Sequence, residues 1–231
     1  MGDRVAERVQ LLTMADHEIF DVIRAGDATR LQALVAADRA AVNVRSEKGF
    51  SPVLIAQYHH KADCLAVLLA AEPVLDIWDA ASVGATARVA ALLDAEPTLV
   101  NSYSGDGFFP LGLAAFFGNA ETVRLLLSRG ADVAQVATNP MHIQAIHAAV
   151  AGRSREAVEL IVEAGAPINA KQHKGWTALH EVVNKKDLDL ARYFLAHGAD
   201  PKVQNDEGKS PIGLAADQGS TEILKLLKGQ G

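Results

Sequence analysis

Two short stretches carry residues of types and spacing that could hold a metal. His180-Glu181-Val182-Val183-Asn184 and His17-Glu18-Ile19-Phe20-Asp21 both begin like His-Glu-x-x-His. In that pattern two imidazoles one helical turn apart bind Zn²⁺ and the glutamate serves as base. Both stretches fail at the second ligand, where Asn184 and Asp21 stand. Gly105-Asp106-Gly107-Phe108 lacks the third glycine and the strand–helix setting of a phosphate cradle. There is no nucleophile elbow, no P-loop and no paired His/Cys arrangement. Cys64 is the single cysteine, so no internal disulfide forms and no Cys/His metal spacing exists. These residues predict a non-catalytic protein with no cofactor and no metal.

The bulk properties narrow the setting. The chain has 231 residues, 49% hydrophobic, 22% charged and only 5% aromatic. A formal net charge of −6 lacks the basic footprint that nucleic acid requires. No apolar run approaches the roughly 18 residues of a membrane span. The charged start Met1–Gln10 has no apolar signal core, and Ala6 breaks the myristoylation pattern. The expectation is a soluble monomer that binds neither nucleic acid nor membrane. It would work in the cytoplasm, its own or, after delivery, that of a host cell.

The elements that position these residues repeat. Gly107–Asp132 (GFFPLGLAAFFGNAETVRLLLSRGAD) aligns without a gap on Gly175–Asp200 (GWTALHEVVNKKDLDLARYFLAHGAD). A marker residue recurs at Pro110, Ala145, Ala178 and Pro211, at steps of 35, 33 and 33. Backwards it falls at Pro52 and, more weakly, at Glu18 and Asp76. Ser51, Thr177 and Ser210 precede the marker as helix N-caps, with proline at the tolerated first position in Ser51-Pro52 and Ser210-Pro211. Leu126-Leu127, Ile161-Val162, Phe194-Leu195 and Leu226-Leu227 share one phase of a second helix. Gly130, Gly165 and Gly198 end that helix. No such unit can bury its apolar face alone, so neighbours must stack.

With Thr177-Ala178-Leu179-His180, Gln144-Ala145-Ile146-His147, Ser210-Pro211-Ile212-Gly213 and Ser51-Pro52-Val53-Leu54, the chain resembles the ankyrin-repeat family, whose unit is about 33 residues with a T-P-L-H-x-A signature. The resemblance covers six to seven units over residues 16–231. It implies an all-α solenoid of helix–turn–helix units with short β-hairpin fingers, preceded over residues 1–15 by a capping helix with Val5, Val9 and Leu12 on one face. It also implies that His147 and His180 brace neighbouring loops, and that Cys64 packs inertly in a buried position. Unit 4 departs from the pattern at Phe109, which replaces the capping hydroxyl.

Members of this family usually bind another protein through the concave side, made of finger tips and the exposed part of each first helix. Carried over position by position, the finger residues are Phe50, Phe108, Ile143 and Trp176, with Lys209 in the last unit. The first-helix positions include Tyr58, Phe116 and Phe117. An aromatic stripe in an aromatic-poor chain reads as an interface, although Phe108 and Trp176 also suit packing between fingers. Lys174 and Lys185, with Lys171, His173 and Lys186, form a second feature. They offer the alternative of a regulator that binds phosphate or an acidic ligand. A metal-dependent enzyme is the remaining alternative.

One stretch violates the period. The step from Pro52 to Asp76 is 24, against 34 from Asp76 to Pro110. Residues 71–78 leave no room for a finger, and Asp76 suits the N-cap that threonine supplies elsewhere. The expected consequence is a notch in the ridge, flanked by Tyr58 and Trp78 and open to a partner loop.

Overall fold

The computed structural model describes residues 18–229. The expected capping helix over 1–15 and His17 lie outside the described residues. Helices α1 (residues 18–25) and α2 (Ala28–Ala37) form the first pair, followed by α3 (Pro52–Tyr58) with α4 (Ala62–Ala70) and α5 (Ile77–Val83) with α6 (Thr86–Ala95). Then come α7 (Pro110–Phe116) with α8 (Ala120–Ser128), α9 (Ala145–Ala151) with α10 (Arg155–Glu163), α11 (Ala178–Asn184) with α12 (Leu188–Ala196), and α13 (Pro211–Asp217) with α14 (Thr221–Leu227). Each first helix packs on the first helix of the next unit from α3 to α13, which makes the assembly an all-α solenoid.

Local chemistry sets where each pair begins. Ser51 Oγ accepts from the Leu54 amide at 2.9 Å and Ser210 Oγ from Gly213 at 3.2 Å, with Pro52 and Pro211 in the first helical position. Asp76 caps the Asp79 amide at 2.8 Å, so the first helical residue of unit 3 is Ile77. That corrects the marker by one residue and restores a step of 33 to Pro110.

The fingers are tight turns rather than strands. Each closes on one backbone bond of 2.8–2.9 Å: Ser46 to Phe50, Ser104 to Phe108, Ala137 to Ile143, Gln172 to Trp176 and Asn205 to Lys209, amide to carbonyl. A single antiparallel bridge, Lys171 to Thr177, is the only β pairing among the described residues. Between α4 and α5 no such bond forms, and residues 71–76 run directly from one helix to the next. The finger is absent there.

The expected open notch does not exist. The finger at 46–50 leans across the gap onto the finger at 104–108, so close that a Cβ on Gly105 would lie 2.6 Å from the Lys48 carbonyl oxygen. Tyr58 donates its hydroxyl to Asp106 at 2.7 Å, and Trp78 Nε1 donates to the Ser102 carbonyl at 3.4 Å. Removing a finger let its two neighbours meet. On the other face α4 and α6 scarcely touch, and the buried core divides at this level. One cluster gathers Ile23, Leu31, Cys64 and Leu68, and the other takes Leu54 of α3 and then runs from Ile77 to Leu227. Cys64 is fully buried, and burial pushes its thiol above the usual range.

Candidate partner-binding groove

Phe109 shows how packing adapts where the repeat signature fails. It stands at the N-cap of α7 with no side-chain cap, and its ring is fully buried. Gly112 occupies the position where units 5 and 6 carry histidine, and a Cβ there would lie 3.1 Å from the phenyl ring. The ring fills the space an imidazole would take. In unit 5 the Gln144 amide donates to His147 Nδ1 at 3.1 Å, which leaves Nε2–H to donate to the Ala170 carbonyl at 3.0 Å. In unit 6 the Thr177 amide donates to His180 Nδ1 at 3.1 Å, and Nε2 lies 3.0 Å from the Lys209 carbonyl. One ring nitrogen of each histidine closes the cap of its own helix, and the other holds the following finger. Burial holds His147 down to about 4 and shifts His180 downward, so both stay neutral. Among the described residues no group of three or more His, Cys, Asp or Glu is placed to hold a metal ion.

With fingers and first helices fixed in this way, their inner sides enclose a groove of about 590 Å³. Phe50 and Tyr58 of unit 2, Phe108 and Phe116 of unit 4, and Met141 and Ile143 of the finger before unit 5 form most of its apolar wall. Unit 3 contributes none of these residues. Tyr58 is the hub: its ring centroid lies 6.2 Å from Phe50, 6.3 Å from Phe108 and 6.0 Å from Phe117. The absent finger is what permits units 2 and 4 to share one wall. Burial, then the charge of Asp106, keeps the Tyr58 phenol well above its ordinary range, so it remains a donor.

The nine residues singled out from sequence divide by environment. Phe50, Tyr58, Phe108 and Phe116 are half-buried and line the groove. Ile143 lines it too but is only 6% exposed, so it is floor rather than a free anchor. Phe117 is turned into the aromatic cluster, edge-on to Phe116 at 5.0 Å. Trp176 packs 5.6 Å from His180 and, with Lys174, lines an adjoining recess of about 290 Å³. Lys185 is a correction. Its Nζ donates to the Val150 and Ala151 carbonyls, both at 2.8 Å, and so caps the C-terminal end of α9. Lys171 likewise donates to the Gln204 carbonyl at 2.8 Å. The lysines do not converge as a free cationic patch.

Sequence reading missed Met141, 53% exposed, which the groove and the recess share. Its signal was the step of 35: the two extra residues lengthen the finger between α8 and α9. Asp106 and Glu181 were missed as groove residues, since the stretches that hold them read only as a failed phosphate cradle and a failed metal motif.

Residues 77–172 and 146–231 match the family profile described as ankyrin repeats (3 copies). The protein phosphatase 1 regulatory subunit 27 of Homo sapiens is 35% identical over 113 residues, 48% of this chain and 71% of that protein. The B-cell lymphoma 3 protein homolog of Mus musculus is 30% identical over 204 residues, 88% of this chain and 39% of that protein. The nuclear factor NF-kappa-B p105 subunit of Gallus gallus is 33% identical over 135 residues, 57% of this chain and 14% of that protein. The chain thus spans less than half the length of the last two.

Proposed function

The chain belongs to the ankyrin-repeat family and is a protein-interaction module, and we propose that it seats its partner in the groove between the fingers and the first helices of units 2, 4 and 5. The observation that carries this reading is the groove itself. It is an open apolar wall of about 590 Å³ with four aromatic side chains, in a chain where aromatics are 5% of residues. Clefts of this size and character take ligands that bury most of their surface. Aromatic side chains supply large contact area at the centre of interfaces. Relatives named as subunits of larger assemblies support a binding role, but they are named for different assemblies, so no partner identity is transferred. The role is non-catalytic: the chain presents a fixed surface and acts as a scaffold for one partner, as a monomer, in the cytoplasm.

Affinity capture with the intact chain and with Ala151→Trp tests the site. Ala151 is exposed at the groove wall, so a large ring there blocks the groove without removing core. A partner retained by the intact chain and by Leu69→Glu, on the second-helix face, but lost from Ala151→Trp supports the reading. Equal retention by all three places the interface elsewhere.

A further inference from the structure

The groove carries charge of one sign. Asp106 and Glu181 line it, and no lysine or arginine among the described residues does. Among the described residues Asp106 has no cationic partner, and Glu181 has one that is shared. Asp106 accepts from two neutral donors, the Tyr58 hydroxyl at 2.7 Å and the Ser104 hydroxyl, so its negative charge stays uncompensated. Glu181 has one cation nearby, Lys185 Nζ at 3.5 Å, and that ammonium already donates to the Val150 and Ala151 carbonyls. Lys185 thus divides its donors between Glu181 and two carbonyls, and an incoming cation shares the Glu181 carboxylate with it. Aromatic walls add to the same preference, because ring faces attract cations, and more strongly where water is excluded.

We infer that the occupant is a protein segment with two or more bulky apolar side chains adjacent to a lysine or arginine, the cation seated at Glu181. This rests on the groove being the partner site. The apolar side chains meet Phe50, Phe108, Phe116 and Met141, and the cation ends the contact at the boundary with the recess. Beyond that boundary the finger carries exposed Lys174, which repels a second cation. An acidic or phosphorylated segment meets the opposite field and is disfavoured.

A phage-displayed random dodecapeptide library, selected on the full chain, tests this. The expected peptides carry an apolar pair with Lys or Arg at a fixed offset. A synthetic peptide of that sequence binds about tenfold or more weakly to Glu181→Gln, and salt weakens its binding to the intact chain more than to that variant. Replacing its cation with methionine costs the same factor, after which Glu181→Gln has no further effect. Lys185→Met strengthens binding by leaving Glu181 unshared. Peptides that carry no cation, or that ignore Glu181→Gln while Ala151→Trp still abolishes binding, overturn the assigned chemistry and leave the groove standing. Peptides that bind Ala151→Trp and Met141→Ala as well as the intact chain overturn the groove and the chemistry together. So does a selection that enriches nothing. Circular dichroism of each variant against the intact chain identifies any that fail to fold.

Discussion

The third residue of the first helix is Asp79 in unit 3 and histidine, His147 and His180, in units 5 and 6. The histidines reach forward and hold the following finger by its backbone carbonyl. Asp79 reaches back. It accepts from the Ser51 hydroxyl in unit 2 and from Arg45 at 3.3 Å, while the other arm of Arg45 binds Asp76 at 2.8 Å. The preceding finger that would cover this junction is absent, and a partly buried ionic cluster takes its place. Its forward contact is left to Trp78 and the Ser102 carbonyl. The difference teaches that this position is a tether whose direction follows which finger exists, and its chemistry follows the direction.

Unit 4 has neither tether, so the largest effect is expected there. Phe109→Thr restores the hydroxyl of the family signature yet empties a fully buried ring, and unfolding should show a loss of about 3–5 kcal/mol. Gly112→His alone forces an imidazole into the phenyl ring, which a Cβ would already approach to 3.1 Å. The double substitution converts unit 4 to the unit 6 arrangement and should cost clearly less than the two single losses added together. Additive losses would mean that Phe109 and Gly112 are not one exchanged pair, and the comparison between units would break.

Acid sharpens the same contrast, because the two tethers have opposite signs. Burial first, and the neighbouring charge of Asp76 second, push Asp79 up to about 6 from its ordinary value near 3.8. A carboxyl raised on folding contributes stability that is fully present below pH 3.8 and is lost as pH rises through about 6. His147, lowered to about 4 by burial, contributes stability that is present above 6.5 and lost as pH falls through about 4. Between pH 6.5 and 4 the two therefore oppose one another, each by roughly 3 kcal/mol at about 1.4 kcal/mol per unit. Asp79→Asn should make the protein fall off more steeply on acidification, and His147→Gln should flatten the fall. Chemical denaturation across this window measures both. Identical slopes for the two variants would show that the buried groups do not titrate as their surroundings dictate.

Repeat register, caps and the absent finger were legible because they rest on local chemistry: a hydroxyl or carboxylate before a helix, a glycine after one, a step short of the period. Most of the groove's apolar wall was legible for the same reason, since Phe50, Tyr58, Phe108, Phe116 and Ile143 sit at fixed offsets from the marker. What the missing finger does was not legible. Closure of the gap depends on the Lys48 carbonyl meeting Gly105 and Tyr58 meeting Asp106, contacts between residues 48 or more positions apart that no period encodes. Lysine is ambiguous in sequence for a related reason. Its long side chain serves solvent or a backbone carbonyl equally well, and only the position of the next unit decides.

Lys185 carries the smallest expected effect and tests that last point. It closes the C-terminal end of α9 from unit 6, while Asn119 of unit 4 does the same for α5 through the Ala81 and Ser82 carbonyls, both at 2.9 Å. One region uses an ammonium and the other a neutral amide. Lys185→Met should cost about 1 kcal/mol, the net worth of bonds to carbonyls that otherwise turn to water. Part of that loss should fade at high salt, because the charge also meets the negative end of the helix dipole. Asn119→Ala should cost a similar amount with no salt dependence. Lys174→Met, exposed on its finger, should shift the melting temperature by less than either. If Lys174→Met and Lys185→Met were equally silent, Lys185 would be a surface charge after all, and the two regions would not share this way of closing a helix.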